Sequence, residues 1–283
     1  MSQEISAAMV MDLRKRTGVG MSKCKEALVE AKGDIEAAIH ILRKKGMASA
    51  VKKGGRETNE GVVGVAENDQ RAFLLEVNVE TDFVVKNDRF KEFLSNICNE
   101  ALTLRPTSVQ EFLQKPYSKQ PSTTLDEYRA EIVLSLGENI QISRLIELPK
   151  SEETSIGIYS HMGGKIVSAV VIKGSEGQEE LARDIAMHVA AEAPDYLRPE
   201  EVPADVKAKE EDIARSQIKN KPPEIIEKIL GGKMRAYYES SCLEEQKYVK
   251  DPSLKVGEFL EQEGKKLGKQ LKMTQFIRWQ IGE

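Results

Sequence analysis

Apolar residues recur at helical spacing near the N terminus and at every second position in the middle of the chain. Ile5, Met9 and Leu13 fall four apart, which places them on one face of a helix. Thr17-Gly18-Val19-Gly20 breaks that pattern. Ser22 is placed to cap a second helix carrying Ala27, Leu28 and Ala31, which Gly33 closes. Asp34 caps a third, with Ile35, Ala38, Ile39 and Leu42 inward, predicted to end at Gly46. Three helices this short make a small bundle with a thin interior, marginally stable alone. Ala48 to Glu60 has no apolar period and holds Lys52-Lys53-Gly54-Gly55-Arg56. It reads as a polar linker whose basic residues either meet phosphate or are simply solvated.

The middle of the chain states one pattern twice. Gly61 to Ala66 is predicted as a strand, Asn68-Asp69 as a turn and Arg71 to Val79 as a second strand. In the latter, Phe73, Leu75, Val77 and Val79 alternate with Leu74, Glu76 and Asn78. A helix capped by Asn87 follows, with Phe90, Leu94, Ile97 and Ala101 on one stripe. Another helix around Leu125, Tyr128 and Ile132 leads through Gly137-Glu138-Asn139 to a strand from Ile140 to Leu148. Then Ile156 to Ser160, a Gly163-Gly164 turn and Ile166 to Ile172 give a second hairpin, followed by a helix with Leu181, Ile185 and Val189 inward. The repetition predicts a duplicated α+β core with antiparallel sheets.

Pro194 to Pro203 punctuates the second unit. Ala204 to Asn220 reads as a charged helix, Lys221-Pro222-Pro223 as a turn and Glu224 to Tyr238 as a return helix. So short a turn makes the two helices antiparallel. The hairpin could pair with a second copy of the chain, as a homodimer, or stand in solvent. Phe276 to Ile281 reads as a last strand. The expected division is residues 1–47 for the bundle, 48–60 for the linker, 61–148 for the first half of the core and 149–283 for the second, with the hairpin at 204–238.

Composition narrows the function. At 283 residues there is room for about two domains of ~150. A net charge of -4 leaves no global positive field for nucleic acid. No apolar leader is seen, and no apolar run approaches the ~20 residues of a membrane helix. Cys24, Cys98 and Cys242 are scattered and form no C-x-x-C pair, so neither a disulfide framework nor a zinc site is indicated. A cytoplasmic protein acting on a protein partner or small substrate is expected.

Catalytic machinery is sparse. His40, His161 and His188 share no metal-ligand spacing. His188 reads as a structural histidine within a helix, His40 as a surface residue, and His161 as a hairpin-tip residue or exposed contact. Gly163-Gly164-Lys165 has Tyr159 where a phosphate loop needs its first glycine and Ile166 where it needs a hydroxyl. Gly231-Gly232-Lys233 lies inside a predicted helix. The chain reads as no enzyme.

Glu80-Thr81-Asp82-Phe83-Val84 sets an acid beside an aromatic where the chain leaves a strand. Either Phe83 is core and Asp82 faces water, or both project from a turn as a wedge.

Several stretches, in order, resemble bacterial elongation factor Ts. They are Leu13-Arg14-Lys15-Arg16-Thr17-Gly18-Val19-Gly20-Met21, Cys24-Lys25-Glu26-Ala27-Leu28, Gly33-Asp34-Ile35-Glu36-Ala37-Ala38, Thr81-Asp82-Phe83-Val84, Gly137-Glu138-Asn139-Ile140 and Ala186-Met187-His188-Val189-Ala190-Ala191. The resemblance runs from Ile5 onward and implies a ubiquitin-associated-like N-terminal domain, a two-part α+β core and a helical hairpin. It also implies guanine-nucleotide exchange on elongation factor Tu. Asp82 and Phe83, framed by Thr81 and Val84, would push between helices of the partner's nucleotide domain and disturb its magnesium and phosphate site. Leu13, Thr17, Gly18 and Met21 are implied contacts of the N-terminal domain, and His161 and Gly163 of the second half of the core. No cofactor or metal of its own is implied, nor direct contact with nucleic acid or membrane.

Two departures stand out. Some members continue past the final strand into a helical module, whose contacts would be missing here. Ser22 stands where some carry a second methionine, which implies a weaker apolar contact. The rival readings are an adaptor without exchange activity and an enzyme using Gly163-Gly164-Lys165 on a phosphate.

Overall fold

The computed structural model describes residues 5–174, 176–218 and 222–283. The chain divides into two units, Met1–Pro149 with Gln280–Glu283, and Lys150–Trp279.

The first unit opens with three helices. Ser6 caps α1 (Ala7–Thr17), accepting the Met9 N–H at 3.3 Å, and Gly18 ends it with φ +64°. Helix α2 (Met21–Glu30) starts after Gly20 without a side-chain cap. Ser22 lies inside its first turn and donates to Glu26 Oε1 at 3.2 Å, so the expected Ser22 cap is not made. Asp34 caps α3 (Ile35–Lys53) through the Ala37 N–H at 2.9 Å. Contrary to expectation, α3 does not stop at Gly46, and residues 48–53 are helix rather than linker. Gly46 is buried, and a β-carbon there would come within 3.1 Å of the Ala130 carbonyl oxygen. The glycine that reads as a terminator is a point of close helix approach. The bundle interior of Val10, Leu13, Val19, Cys24, Ala27, Leu28, Ala38 and Leu42 is completed by Leu134 from the core, which thickens what the three helices enclose.

Strands β1 (Glu60–Glu67) and β2 (Arg71–Val79) pair antiparallel, with Val62 opposite Val77. The Asn68 side chain makes the turn by accepting the Gln70 and Arg71 N–H groups at 2.9 and 3.0 Å. There follow α4 (Asp82–Lys86), α5 (Asp88–Leu104), α6 (Val109–Gln114), β3 (Pro116–Tyr117), β4 (Gln120–Thr124), α7 (Leu125–Leu136) and β5 (Ile140–Pro149). Asn87 caps α5, accepting the Arg89 N–H at 2.9 Å. Sheet order is β1-β2-β5, so β2 is central. Both its faces are buried, so the alternation does not separate core from solvent. Leu74 is buried, and Glu76 and Asn78 are buried as a polar pair. Glu76 is held by Arg144 at 2.7 Å and by the Asn78 amide at 3.1 Å.

The second unit repeats the order. Strands β6 (Thr154–His161) and β7 (Ile166–Lys173) are followed by α8 (Glu179–Glu192), α9 (Ala204–Ser216), α10 (Pro223–Ser241), β8 (Lys247–Tyr248), β9 (Asp251–Lys255), α11 (Val256–Leu267) and β10 (Lys272–Gln280). Sheet order is β10-β7-β6, again with the second hairpin strand central. The repetition reaches individual contacts. Tyr117 stacks on Tyr128 with ring centroids 4.3 Å apart, and Tyr248 stacks on Phe259 at 4.3 Å. Lys119 reaches Asn96 at 2.8 Å, and Lys250 reaches Asp184 at 2.7 Å.

The second unit alone carries the helical pair α9 and α10. They run antiparallel, joined by Arg215–Glu227 at 3.2 Å and by Lys233 to Gln217 at 2.6 Å. Helix α9 ends at Ser216, short of the expected limit. Lys219 and Asn220 of the predicted helix and Lys221 of the predicted turn lie outside the described residues. At the base, Tyr196 and Cys242 form a parallel bridge, and the Leu243 N–H donates to the Tyr196 carbonyl at 2.8 Å.

Candidate functional site

Where β2 ends, the chain turns into α4 and presents one large apolar side chain to solvent. Phe83 is 78% exposed, while its neighbour Val84 is buried and ties the turn to the core. Of the two readings open in the sequence, the structure has the projecting one, and Val84 takes the core position instead. Asp82 pairs with Lys86 at 2.6 Å, and the Lys86 ammonium stands 5.8 Å from the Phe83 ring centroid. The tip therefore offers an aromatic face flanked by one acid and one base.

The tip is held from beneath. The Thr81 hydroxyl and N–H both donate to the Glu138 carboxylate, at 2.6 and 3.0 Å. Glu80 accepts the Asn139 N–H at 2.6 Å and meets Arg56 at 3.3 Å. Two blocks far apart in sequence, Glu80 to Val84 and Gly137 to Ile140, form one structure, because Val79 and Ile140 are paired neighbours in the sheet. Lys53 donates to the Gly137 carbonyl at 2.5 Å. Burial, then the Arg56 and Lys23 charges, hold its ammonium below the usual range, against the upward pull of Glu80 and Glu138.

The N-terminal candidates divide. Leu13 is fully buried in the helical bundle, so it is corrected from a contact residue to a core residue: the apolar stripe of α1 packs inward. Thr17 donates its hydroxyl to the Leu13 carbonyl at 2.8 Å and offers its own carbonyl to the Arg89 guanidinium. The Gly18 carbonyl accepts the Ser135 hydroxyl at 2.9 Å. Both backbones thus face α5 and α7, leaving Met21, 40% exposed, as the outward apolar residue of the set. Two residues with no role expected from sequence act here. Glu138 stands inside a quoted block, while Arg89, adjoining the Asn87 cap, carries no local signal.

In the second unit, His161 is exposed at the end of β6, stacked on Tyr159, whose hydroxyl lies 3.3 Å from Nδ1. Met162, 71% exposed with φ +50°, and Gly163, at φ +67°, complete the turn. His188 is buried as expected of a structural histidine: Nε2 meets Gln246 Oε1 at 3.0 Å and Nδ1 accepts the Val249 N–H at 3.1 Å. With Nδ1 accepting, the ring is neutral with its proton on Nε2. Among the described residues, no group of three or more His, Cys, Asp or Glu is arranged to hold a metal, and no helix is long and apolar enough to cross a membrane.

A protein-family model described as "Elongation factor TS" matches residues 80–283. The chain is 57% identical over 279 residues to an elongation factor Ts of Protochlamydia amoebophila, covering 99% of both. It is 43% identical over 279 residues to that of Chlamydia muridarum, again over 99% of both, and 44% identical over 270 residues to that of Chlamydia felis, over 95% of this chain and 96% of the relative.

Proposed function

This chain belongs to the elongation factor Ts family, whose members exchange guanine nucleotide on elongation factor Tu in translation elongation, and we propose that its Thr81-Asp82-Phe83-Val84 tip is the wedge that drives GDP out. Phe83 inserts between helices of the partner's nucleotide domain, and Asp82 brings negative charge toward the elements that hold magnesium and phosphate. The observation that carries this reading is a bulky aromatic left 78% exposed on a turn whose base is fixed by buried Val84 and by Glu138. Met21 supports a second contact on the same partner domain, and the His161–Gly163 turn a contact on another.

The energetics set a condition. A factor that binds nucleotide-free partner more tightly than GDP-bound partner weakens GDP by the same ratio. A thousandfold effect requires about 4 kcal/mol of differential binding. Burying one aromatic yields about 1.5–3 kcal/mol. Phe83 alone therefore does not suffice, and a wide contact supplies the rest.

The test is release of fluorescent GDP from elongation factor Tu, stimulated by the native chain and by Phe83→Ala. Strong acceleration by the native chain, cut sharply in the variant, is the expected result. Equal acceleration by both would move the mechanism away from the tip.

A further inference from the structure

The turn that carries Phe83 is fixed by an acid that does not belong to it. Thr81 sits at the N-cap position of α4, where a threonine hydroxyl ordinarily accepts a helix N–H. Here that cap bond is absent, and the hydroxyl is turned away to donate to Glu138 Oε1 at 2.6 Å. The Thr81 N–H takes the other carboxylate oxygen at 3.0 Å. A helix spanning only Asp82–Lys86 has too few internal bonds to hold its own orientation. The direction of Phe83 therefore depends on what holds that turn: Val84 in the core at its middle, and Thr81 on Glu138 at its N-terminal end. The reverse tie, Asn139 N–H to Glu80 at 2.6 Å, locks the Glu138 segment in the same frame.

We propose that Glu138 is the positioning residue of the exchange tip: its carboxylate grips both donors of Thr81, so that docking force passes through Phe83 instead of rotating α4. This rests on the reading of the tip given above. A loosened tip still buries Phe83 in the encounter complex, because the rest of the surface docks it. What it loses is the single orientation needed at the moment GDP leaves. The signature is a fall in maximal exchange rate with little change in half-saturation.

The experiment measures both quantities for stimulated release of fluorescent GDP, with thermal unfolding as a check on folding. Glu138→Ala is expected to lower the maximal rate about tenfold while half-saturation stays within about twofold. Glu138→Gln offers its carbonyl oxygen to the Thr81 N–H and its amide to the hydroxyl oxygen, and is expected to return to within about threefold of native. Thr81→Val keeps the N–H bond, loses the hydroxyl bond and should fall between. The latter two variants serve where Glu138→Ala fails to fold. Equal losses in Glu138→Ala and Glu138→Gln, a loss confined to half-saturation, or native behaviour of all three would overturn the proposal. Phe83→Ala run alongside separates the two layers. No loss there sinks the tip reading itself, whereas a loss there with a native rate for Glu138→Ala sinks only the positioning role.

Discussion

Arg89 lies across Gly18: a β-carbon on that glycine would fall 1.2 Å from the guanidinium Nη1. The same guanidinium donates to the Thr17 carbonyl. Gly18 also has φ +64°, which an L side chain adopts only under strain. Gly18→Ala is therefore expected to destabilise the first unit by more than about 1 kcal/mol, through strain and loss of the Arg89 contact together. Urea unfolding with a probe in the three-helix segment measures it. Native stability in that variant would show that neither the left-handed backbone nor a displaced Arg89 carries a cost.

Asp82 and Phe83 make separable contributions. Both reach solvent, so Phe83→Ala should leave unfolding free energy within about 0.5 kcal/mol of native, making any exchange defect a docking effect. Asp82→Asn keeps size and removes charge. If charge acts on the partner's magnesium site, exchange falls while affinity for elongation factor Tu largely survives. Equal losses of both would mean that Asp82 only shapes the turn. Titration calorimetry beside GDP-release kinetics distinguishes these outcomes.

His188 makes stability sensitive to mild acid. Burial holds its imidazole below the usual value, opposed by the hydrogen bond to Gln246. The folded state therefore resists a proton that the unfolded chain takes up near pH 6.5. Above pH 6.5 both states are neutral and the contribution is intact; as pH falls below 6.5 it is lost, until pH passes the lowered folded value. The slope approaches about 1.4 kcal/mol per pH unit. Urea midpoints from pH 7.5 to 5.5 should fall more steeply for the native chain than for His188→Gln.

The three thiols should be silent in the folded protein. Burial pushes Cys98 up to about 12 and, with nearby Glu245 and Glu200, Cys242 up to about 11; it also raises Cys24. All three side chains are buried, and only the thiolate attacks. Alkylation at pH 8 should be slow in buffer and rapid in denaturant, with rates that track unfolding. A thiol that reacts at once in buffer would mark a local opening.

Much of this fold is legible in the sequence because its long elements carry clear periods. The two hairpins, the Asn87 cap and the helical stripes of α5 and α8 follow from apolar spacing and turn residues. What escapes has a physical reason in each case. Gly46 reads as a stop because the Ala130 carbonyl that approaches it closely comes from another helix. The small hairpins β3–β4 and β8–β9 are too short and polar to show a period, although Tyr117 and Tyr248 anchor them alike. At the site, the residues of the tip stand out, while the direction of Phe83 does not, since it is set by Glu138 from a distant block. Leu13 shows the converse: a residue inside a family signature lies in the core.

The bridge between Tyr196 and Cys242 gives the helical pair above it an unusual freedom. Because the two chain ends are already clamped side by side, the segment between them is a closed loop whose entropy of closure changes only slowly with length. Helical turns can be added or removed in matched pairs, each moving the far end by about 5.4 Å, while the sheet beneath keeps its register. The second unit thus carries a helical pair whose length is open to insertion or deletion without redesign of the scaffold that bears it.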